Sequence, residues 1–525
     1  MNRRVALPLV LCVAAAADEL DEARMLLASP QAKVRLSAIK KLAEIDSKGA
    51  IDALATAVQR SASELDTLGK RLDKNDRDWE KAFDQVLDLE DRGKDGTEPH
   101  RQAQFRQGQL EREWEQLNTE AQLHLDVLHE AGLALRSFRS EEAVAALEKG
   151  ARTHPHALVR MLYIGALGHT GRPSSLETLT ELVTSDKDPR ARAQAVRGLI
   201  PWAPKGWEIA VVAARDPCWA VRRGAIEALA HAPLATAARE LVEAAGRESG
   251  ELRLTALSYL QQVTKTRAGD SYEAWRAWWD QHGASIRDGT YAAPEEAPSP
   301  PAGGRTFARF FRIPIESTHV VFAIDYSGSM SDRLRLDNAR TNAILREHAL
   351  PETRLGYAKA ELIGAIRELP EGALFNVVAY SDTARFLFES PAPANAAVRE
   401  KAIRWVVEAP TGTMTNIYAA LNKSFRDYLD ASGGAARFPM LPDTIVFLTD
   451  GNATRGRFRT ADALRKLVRL WNQPLDVVVH CVGVGDDQDQ ELLEGLAQET
   501  GGYYVDIRKG VGGDLDPRNR PLPAR

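Results

Sequence analysis

The 525-residue sequence predicts a multidomain protein, in which an all-α solenoid with an inserted helical hairpin precedes an α/β domain with a doubly wound sheet. Three observations lead to this prediction. A short motif recurs at a period of about 31 residues, a charged segment with helical periodicity interrupts it, and strand-like runs alternate with amphipathic helices in the C-terminal part. Because a chain of this length exceeds one compact core, at least two domains are expected.

The repeated motif is an arginine, followed by a small or aromatic residue three positions on and by a leucine four positions further. Proline precedes the arginine in three copies, and proline suits the first turn of a helix, so each copy predicts a pair of amphipathic helices. These copies resemble HEAT repeats over residues 20 to 60 and 140 to 265, which implies an α-solenoid. The arginines of the regular copies are separated by 32, 30 and 31 residues: Arg160, Arg192, Arg222 and Arg253.

A charged segment over residues 61 to 138 lies between the two stretches of repeats. Its apolar residues recur at helical spacing on both sides of a break at Gly93 to Pro99. This pattern predicts two long helices joined by a turn, as an antiparallel hairpin or coiled coil. We expect the charged faces to be solvated, and a partner-binding arm is the alternative.

Charge and cysteine content limit the functional classes. With 68 basic and 73 acidic residues the net charge is −5, so the basic surface of a nucleic-acid-binding protein is excluded and no nucleic acid is expected as a partner. Three cysteines are too few for a disulfide framework or a thiolate zinc site.

The N-terminus predicts export. Residues 1 to 17 combine a basic start, a short apolar run and small residues before the first acid, which is the pattern of a cleaved signal peptide. Lipidation at Cys12 and a buried first helix of the repeats are the alternatives. We therefore expect an extracytoplasmic protein, periplasmic, secreted or on the cell surface, with no transmembrane segment after signal removal.

Beyond a Pro-rich linker, the periodicity becomes strand-like. His319 to Ile324 is a continuous apolar run, as in a strand buried on both faces, and similar runs alternate with amphipathic helices to the end of the domain. This alternation predicts a doubly wound, mostly parallel sheet, in which ligands bind beyond the carboxyl ends of the strands. Asp325, Ser327 and Ser329 directly follow the first run, and Asp450 directly follows a later one.

These side chains form an all-oxygen donor set. Alternate residues of an extended segment project to one side, so Asp325, Ser327 and Ser329 can face a common point, and Gly328 permits the turn that they need. Together with Asp450 they supply two carboxylates and two hydroxyls. Such a set suits a hard cation such as Mg²⁺ better than zinc or copper.

The same residues resemble the metal-ion-dependent adhesion site of von Willebrand factor A (VWA) domains, over residues 316 to 508. The resemblance implies a Rossmann-like domain that holds Mg²⁺, with Mn²⁺ or Ca²⁺ as alternatives, and an acidic side chain of a protein partner that completes the coordination. The usual Gly-Gly-Thr-Asn is changed here, so the threonine ligand is Thr415, which Asn416 follows, or else Thr413. The segment from Ser331 to Leu355 is longer than usual and is expected beside the metal face. The implied metal ligands are Asp325, Ser327, Ser329, Thr415 and Asp450.

These inferences predict an exported, non-catalytic binding or adhesion scaffold that recognises a partner through a Mg²⁺-dependent VWA site and a HEAT-like solenoid. The sequence has no nucleophile elbow, phosphate-binding loop or zinc-protease motif. A metal-dependent hydrolase or phosphotransferase using Asp325 and Asp450, and a purely structural scaffold, are the alternatives. The predicted segments are signal peptide 1–17, first repeat 18–60, helical hairpin 61–138, solenoid 139–284, linker 285–305, VWA domain 306–510 and disordered tail 511–525.

Overall fold

The computed structural model describes residues 18–269, 271–293, 308–425 and 441–509. The predicted signal peptide and tail, and most of the predicted linker, lie outside these residues. The chain divides into two compact units: the first comprises the described residues up to Thr180 together with Gly456–Phe458, and the second comprises Glu181–Arg455 and the residues from Arg459 onward. None of the helices in the described ranges is both long and apolar enough to cross a membrane.

The first unit is helical. A buried arginine organises its start, because Arg35 Nη1 donates to the carbonyls of Ser29 and Pro30 at 2.8 and 3.0 Å, and Nη2 reaches Glu64 Oε2 at 2.7 Å. Arg35 therefore caps the preceding turn and ties it to the next helix. The helices are α1 (18–27), α2 (Ala32–Glu44), α3 (Lys48–Asp91), α4 (Glu98–Ala134), α5 (Glu141–Thr153), α6 (Ala157–Leu167) and α7 (Pro173–Ser185), which continues into the second unit.

Helices α3 and α4 form the predicted hairpin. They pack against each other through buried apolar residues that include Trp79 on α3 and Trp114 on α4, and the Asn75 amide donates to the Leu110 carbonyl at 3.0 Å. The turn between the helices contains Gly93 and Gly96 in the left-handed region, with φ of 65° and 67°. No proline lies within α3, so this helix runs unbroken through the predicted boundary between residues 60 and 61.

The second unit continues the repeats as α8 (Pro189–Gly198), α9 (Lys205–Ala213), α10 (Trp219–Ala230), α11 (Leu234–Arg247), α12 (Gly250–Thr264) and α13 (Tyr272–Arg287). The arginine of the sequence motif links successive repeats. Arg192 pairs with Asp216 through two contacts of 2.8 and 2.9 Å, and Arg222 pairs with Glu248 at 2.9 Å. Each of these two arginines also donates to a carbonyl just before its own helix. The same side chain therefore satisfies a backbone acceptor and holds the next repeat in place.

The rest of the second unit is an α/β domain. Its strands are β1 (Ala308–Phe310), β2 (Ile313–Ile315), β3 (His319–Asp325), β4 (Leu374–Tyr380), β5 (Ala384–Phe386), β6 (Ala392–Pro393), β7 (Thr444–Thr449), β8 (Val478–Gly483) and β9 (Tyr504–Asp506). Its helices are α14 (Ala339–Glu347), α15 (Arg354–Glu368), α16 (Ala396–Glu408), α17 (Ile417–Phe425), α18 (Ala461–Asn472) and α19 (Gln490–Thr500).

The main sheet has the order β5-β4-β3-β7-β8-β9, and β6 also pairs with β4. Strands β4, β3, β7, β8 and β9 are parallel, as predicted, while β5 and β6 run antiparallel to β4. Every residue of β3, β7 and β8 is buried, which explains their continuous apolar sequences. The chain passes from β3 to β4 on one side and later to β7 on the other, so the carboxyl ends of β3 and β7 flank the topological switch point where ligands bind in such sheets.

The repeats contact the opposite, amino-terminal ends of the strands within this unit. Arg223 lies 3.5 Å from Glu251 and 3.9 Å from Asp476, which precedes β8. Asp443, which precedes β7, accepts a hydrogen bond from the Ser317 hydroxyl, and burial together with the charge of Glu251 raises the pKa of Asp443 to about 7. The repeats thus cover the end of the sheet that is remote from the switch point.

Burial of His319 predicts that this side chain contributes less to the stability of the domain in acid. Burial lowers the pKa of His319 to about 4, so between pH 6.5 and 4 only the unfolded chain takes up its proton, and stability falls as the pH falls. At pH 4 the loss amounts to about 3 kcal/mol. Hydrogen exchange of β3 amides, corrected for the intrinsic pH dependence, measures this stability, and between pH 6.5 and 4 the wild type should lose about 3 kcal/mol relative to His319→Gln.

The raised pKa values of Asp443 and Asp325 act in the opposite direction over the same range, and the comparison with His319→Gln removes their contributions because both proteins contain these aspartates. An equal pH dependence in the two proteins would contradict the assignment to His319.

Candidate metal site

The candidate site lies at the carboxyl ends of β3 and β7. Asp325 is the last residue of β3, and a short 3₁₀ turn over Gly328–Ser331 follows it. Ser329 Oγ donates to Asp450 Oδ1 at 2.9 Å, and Ser327 Oγ lies 3.2 Å from Ser329 Oγ. The structure therefore brings together Ser327, Ser329 and Asp450 from two strands that are neighbours in the sheet but far apart in sequence.

Asp325 is held rigidly at the same edge. Its Oδ1 accepts the Ser327 backbone N–H at 2.8 Å, and its Oδ2 accepts the Thr449 hydroxyl at 2.8 Å. Burial and, to a smaller extent, the negative charge of Asp450 raise the pKa of Asp325 to about 7. Burial also raises the pKa of Asp450, although hydrogen bonds from Arg354 and Ser329 oppose the rise. Two buried carboxylates of like charge create a strong local preference for a cation.

The structure distinguishes the two candidate threonines by their surroundings. Thr415 is buried at 4% exposure, whereas Thr413 is exposed. The Thr415 N–H donates to Thr454 Oγ1 at 2.9 Å, and the Thr454 N–H returns a bond of 2.9 Å to the Thr415 carbonyl. Gly412 N–H donates to the Tyr326 carbonyl at 2.9 Å. The loop that carries the threonines is therefore tied to the segments that follow both β3 and β7.

Asp382 clamps this loop and was missed by the sequence analysis. Its two carboxylate oxygens accept the N–H groups of Thr413 and Met414 at 2.9 and 3.0 Å, and its carbonyl accepts from the Asn416 side chain at 3.1 Å. Asp382 is the second residue after β4, so the rule that polar residues after strand ends build the site could have found it.

Lys359 also holds the segment that leads into the threonine loop. Lys359 Nζ donates to the carbonyls of Val407 and Ala409 at 2.9 and 3.2 Å, at the end of α16, and lies 5.2 Å from the ring centre of Tyr326. Burial lowers the pKa of Lys359 to about 8. This lysine thus connects the residue after Asp325 with the segment that leads into the threonine loop.

The segment from Ser331 to Leu355 lies beside the site, as the sequence predicts. Its two ends are joined, because the Leu334 N–H donates to the Glu352 carbonyl at 3.2 Å and the Arg354 N–H donates to the Asp332 carbonyl at 2.9 Å. Arg354 Nη1 lies 2.9 Å from Asp450 Oδ2. No feature of the sequence predicts this contact, which places a positively charged side chain against one of the predicted ligands.

The donor set fits a hard divalent cation. Asp325, Asp450 and the serine and threonine hydroxyls are all oxygen donors, and they come from three segments that converge on one edge of the sheet. In the described ranges, no group of three or more acidic, histidine or cysteine side chains is arranged to hold a metal ion, and the candidate site itself contributes two carboxylates beside its hydroxyls.

Comparison with protein families supports this description of the fold. A family model for the von Willebrand factor type A domain matches residues 356–506, and one for HEAT repeats matches residues 121–200. The first match includes Thr415 and Asp450 but begins after Ser329. Von Willebrand factor type A domains often bind a divalent metal at the adhesion site, and both families typically mediate protein interactions. Among curated proteins, no significant match is found.

Solved structures give matches of lower overall similarity. A von Willebrand factor type A protein from Catenulispora acidiphila is 24% identical, with a TM-score of 0.27, over 39% of this chain and 40% of that chain. Proximal thread matrix protein 1 from the mussel byssus, described with a zinc-occupied adhesion-site motif, is 17% identical, with a TM-score of 0.25, over 36% of this chain and 43% of that chain. This chain thus spans less than half of either solved chain.

Proposed function

We propose that this chain, which carries a von Willebrand factor type A domain C-terminal to HEAT repeats, is a non-catalytic scaffold that captures a protein partner through a Mg²⁺-dependent site. The proposed ligands are Asp325, Ser327, Ser329, Thr415 and Asp450. The observation that carries the proposal is the convergence of Asp325 and Asp450, with the two serine hydroxyls between them, at the switch point of the sheet.

The local hydrogen bonds support Ser327, Ser329 and Asp450 as metal ligands, and they fix the Asp325 carboxylate in one position. Thr449 and the Ser327 N–H fix the Asp325 carboxylate, while Ser327 and Ser329 carry hydroxyl oxygens toward Asp450. The burial of Thr415 supports its choice over the exposed Thr413. When bound, Mg²⁺ would supply a Lewis-acidic coordination position, which an acidic oxygen of the partner fills.

Binding rather than turnover is the activity that this set of residues supports. Hydrolysis or phosphoryl transfer would require a general base or a further charged group positioned for the reacting atoms. Among the described residues, hydroxyl groups and Arg354 surround Asp325 and Asp450, and both carboxylates are assigned to holding the metal rather than to proton transfer. We further propose that the protein acts outside the cytoplasm, on the basis of the signal-like residues 1 to 17.

Titration of Mg²⁺ into the chelated full-length chain tests the proposal. We expect one saturable site by calorimetry, with a rise in melting temperature as Mg²⁺ is added, because a ligand that binds only the folded state stabilises it. Removal of Mg²⁺ with a chelator should reverse the rise.

Ca²⁺ and Mn²⁺ titrated in parallel establish the preferred ion. Absence of saturable binding for all three ions would refute the metal-dependent mechanism and direct attention to the repeats as the binding surface.

A further inference from the structure

Arg354 presents unused hydrogen-bond donors at the proposed metal site. Its side chain is 12% exposed, and Nη1 makes the contacts that hold it, to Asp450 Oδ2 at 2.9 Å and to Asp332 Oδ2 at 3.3 Å. In the part of the chain that the structure describes, no residue accepts a hydrogen bond from its Nε or Nη2. The Nε–Nη2 edge is the side of a guanidinium that binds a carboxylate through two parallel hydrogen bonds.

Gly485 fixes the orientation of this guanidinium. A Cβ atom at Gly485 would lie 2.7 Å from Cζ of Arg354 and 2.9 Å from both Nε and Nη2. Because Cζ is nearer to this position than Nε or Nη2, the flat face of the guanidinium lies against Gly485. Gly485 therefore does not cover the Nε–Nη2 edge. Gly485 also has φ of 90°, a conformation that other residues rarely adopt, so both the backbone and the packing favour glycine here.

The backbone of Arg354 is fixed as well. Arg354 is the first residue of α15, Thr353 caps this helix through its hydroxyl, and the Arg354 N–H bonds to Asp332. A partner that binds this arginine therefore pays little conformational entropy to order it.

We propose that the Nε–Nη2 edge of Arg354 binds a second carboxylate of the partner, so that the site recognises two neighbouring acidic side chains rather than one. This inference rests on the proposed function, in which the first carboxylate completes the coordination of Mg²⁺. Asp450 connects the two positions, because it is a proposed metal ligand and also the ion-pair partner of Arg354. Arg354 acts here as a specificity residue that reads the partner directly.

The test uses two fluorescein-labelled peptides, Gly-Ser-Asp-Asp-Ser-Gly and Gly-Ser-Asp-Asn-Ser-Gly, and the full-length chain in saturating Mg²⁺. Fluorescence anisotropy should show that the wild type binds the doubly acidic peptide about tenfold more tightly, the effect expected for a charged bidentate contact. Arg354→Gln should remove this preference, and Arg354→Lys should retain part of it because lysine keeps the charge without the planar fork.

Arg335→Gln is the matched control. Arg335 lies in the same segment, is 88% exposed, and reaches Glu352 only at 4.0 Å, so its replacement should leave the preference unchanged. Circular dichroism and a Mg²⁺ titration of each variant verify that the site is formed.

The outcomes separate this inference from the proposed function. If both peptides require Mg²⁺ but bind the wild type equally, or if Arg354→Gln keeps the preference, the role of Arg354 is wrong and metal-dependent recognition stands. If Mg²⁺ binds and neither peptide does, capture of a carboxylate by the metal is wrong, and this inference fails with it.

Discussion

Replacing Asp325 by asparagine is expected to weaken Mg²⁺ binding by the full chain at least about a hundredfold, a loss beyond that usual for residues that only support metal ligands. The side chain is buried, and both of its oxygens lie in fixed hydrogen bonds at the end of β3. Asparagine keeps the shape but removes one of the two negative charges that would balance the cation. Calorimetric titration of Mg²⁺ into wild type and variant measures the difference.

The fold should survive this change. The metal-free variant is expected to melt no lower than the metal-free wild type, because it removes a buried carboxylate that faces the like charge of Asp450. A large drop in melting temperature without metal would mean that Asp325 is chiefly structural.

Asp443→Asn is a matched control for this experiment. Asp443 is also a buried aspartate of the same sheet, but it precedes β7 at the amino-terminal end, whereas Asp450 follows β7 at the other end. Its replacement should leave Mg²⁺ affinity within about threefold of the wild type, the scatter usual for substitutions outside a site. Equal losses of affinity in both variants would show that the effect of Asp325→Asn is a general consequence of disturbing buried charge.

Much of the fold followed from the sequence, because full burial imposes a recognisable pattern. The run from His319 to Ile324 predicted β3, which ends one residue later, and the break at Gly93 to Pro99 predicted the turn between α3 and α4. The recurring arginine marked the repeats because it has a physical role in them. Arg192 and Arg222 each donate to a backbone carbonyl before their own helix and pair with an acid of the next repeat. The match to HEAT repeats confirms this part of the prediction.

The surroundings of the site were harder to predict, because they depend on contacts between residues far apart in sequence. Arg354 meets Asp450 only because α15 begins beside the end of β7, and Asp382 meets Thr413 only because the turn after β4 lies against the loop that carries Thr413. Hydrophobic periodicity indicates which residues are buried, but it carries no information on which polar loop residues pair. The predicted ligands could thus be named from a motif, and Asp382 could have been found from its place after a strand, whereas the contact of Arg354 with Asp450 follows only from the structure.

Asp382→Ala is expected to weaken Mg²⁺ binding about a hundredfold without removing any proposed ligand. The carboxylate accepts the N–H groups of Thr413 and Met414, and a hydrogen bond to a charged acceptor contributes about 1.5–3 kcal/mol. Without it, the loop that carries Thr415 must be ordered at the expense of metal binding. Calorimetry gives the affinity, and hydrogen exchange of the amides of Thr413 and Met414 should rise in the metal-free variant.

Asp489→Ala separates this effect from the general loss of an aspartate that caps backbone groups. Asp489 accepts the Leu492 N–H at 3.0 Å at the start of α19, so its loss should lower stability while Mg²⁺ affinity stays near the wild-type value. Asp382→Asn should fall between wild type and alanine, because the amide keeps one acceptor for two N–H groups. If Asp382→Ala exposes the loop amides to exchange but leaves Mg²⁺ affinity intact, the threonine loop does not contribute to the metal site, and the cation depends on Asp325, Ser327, Ser329 and Asp450 alone.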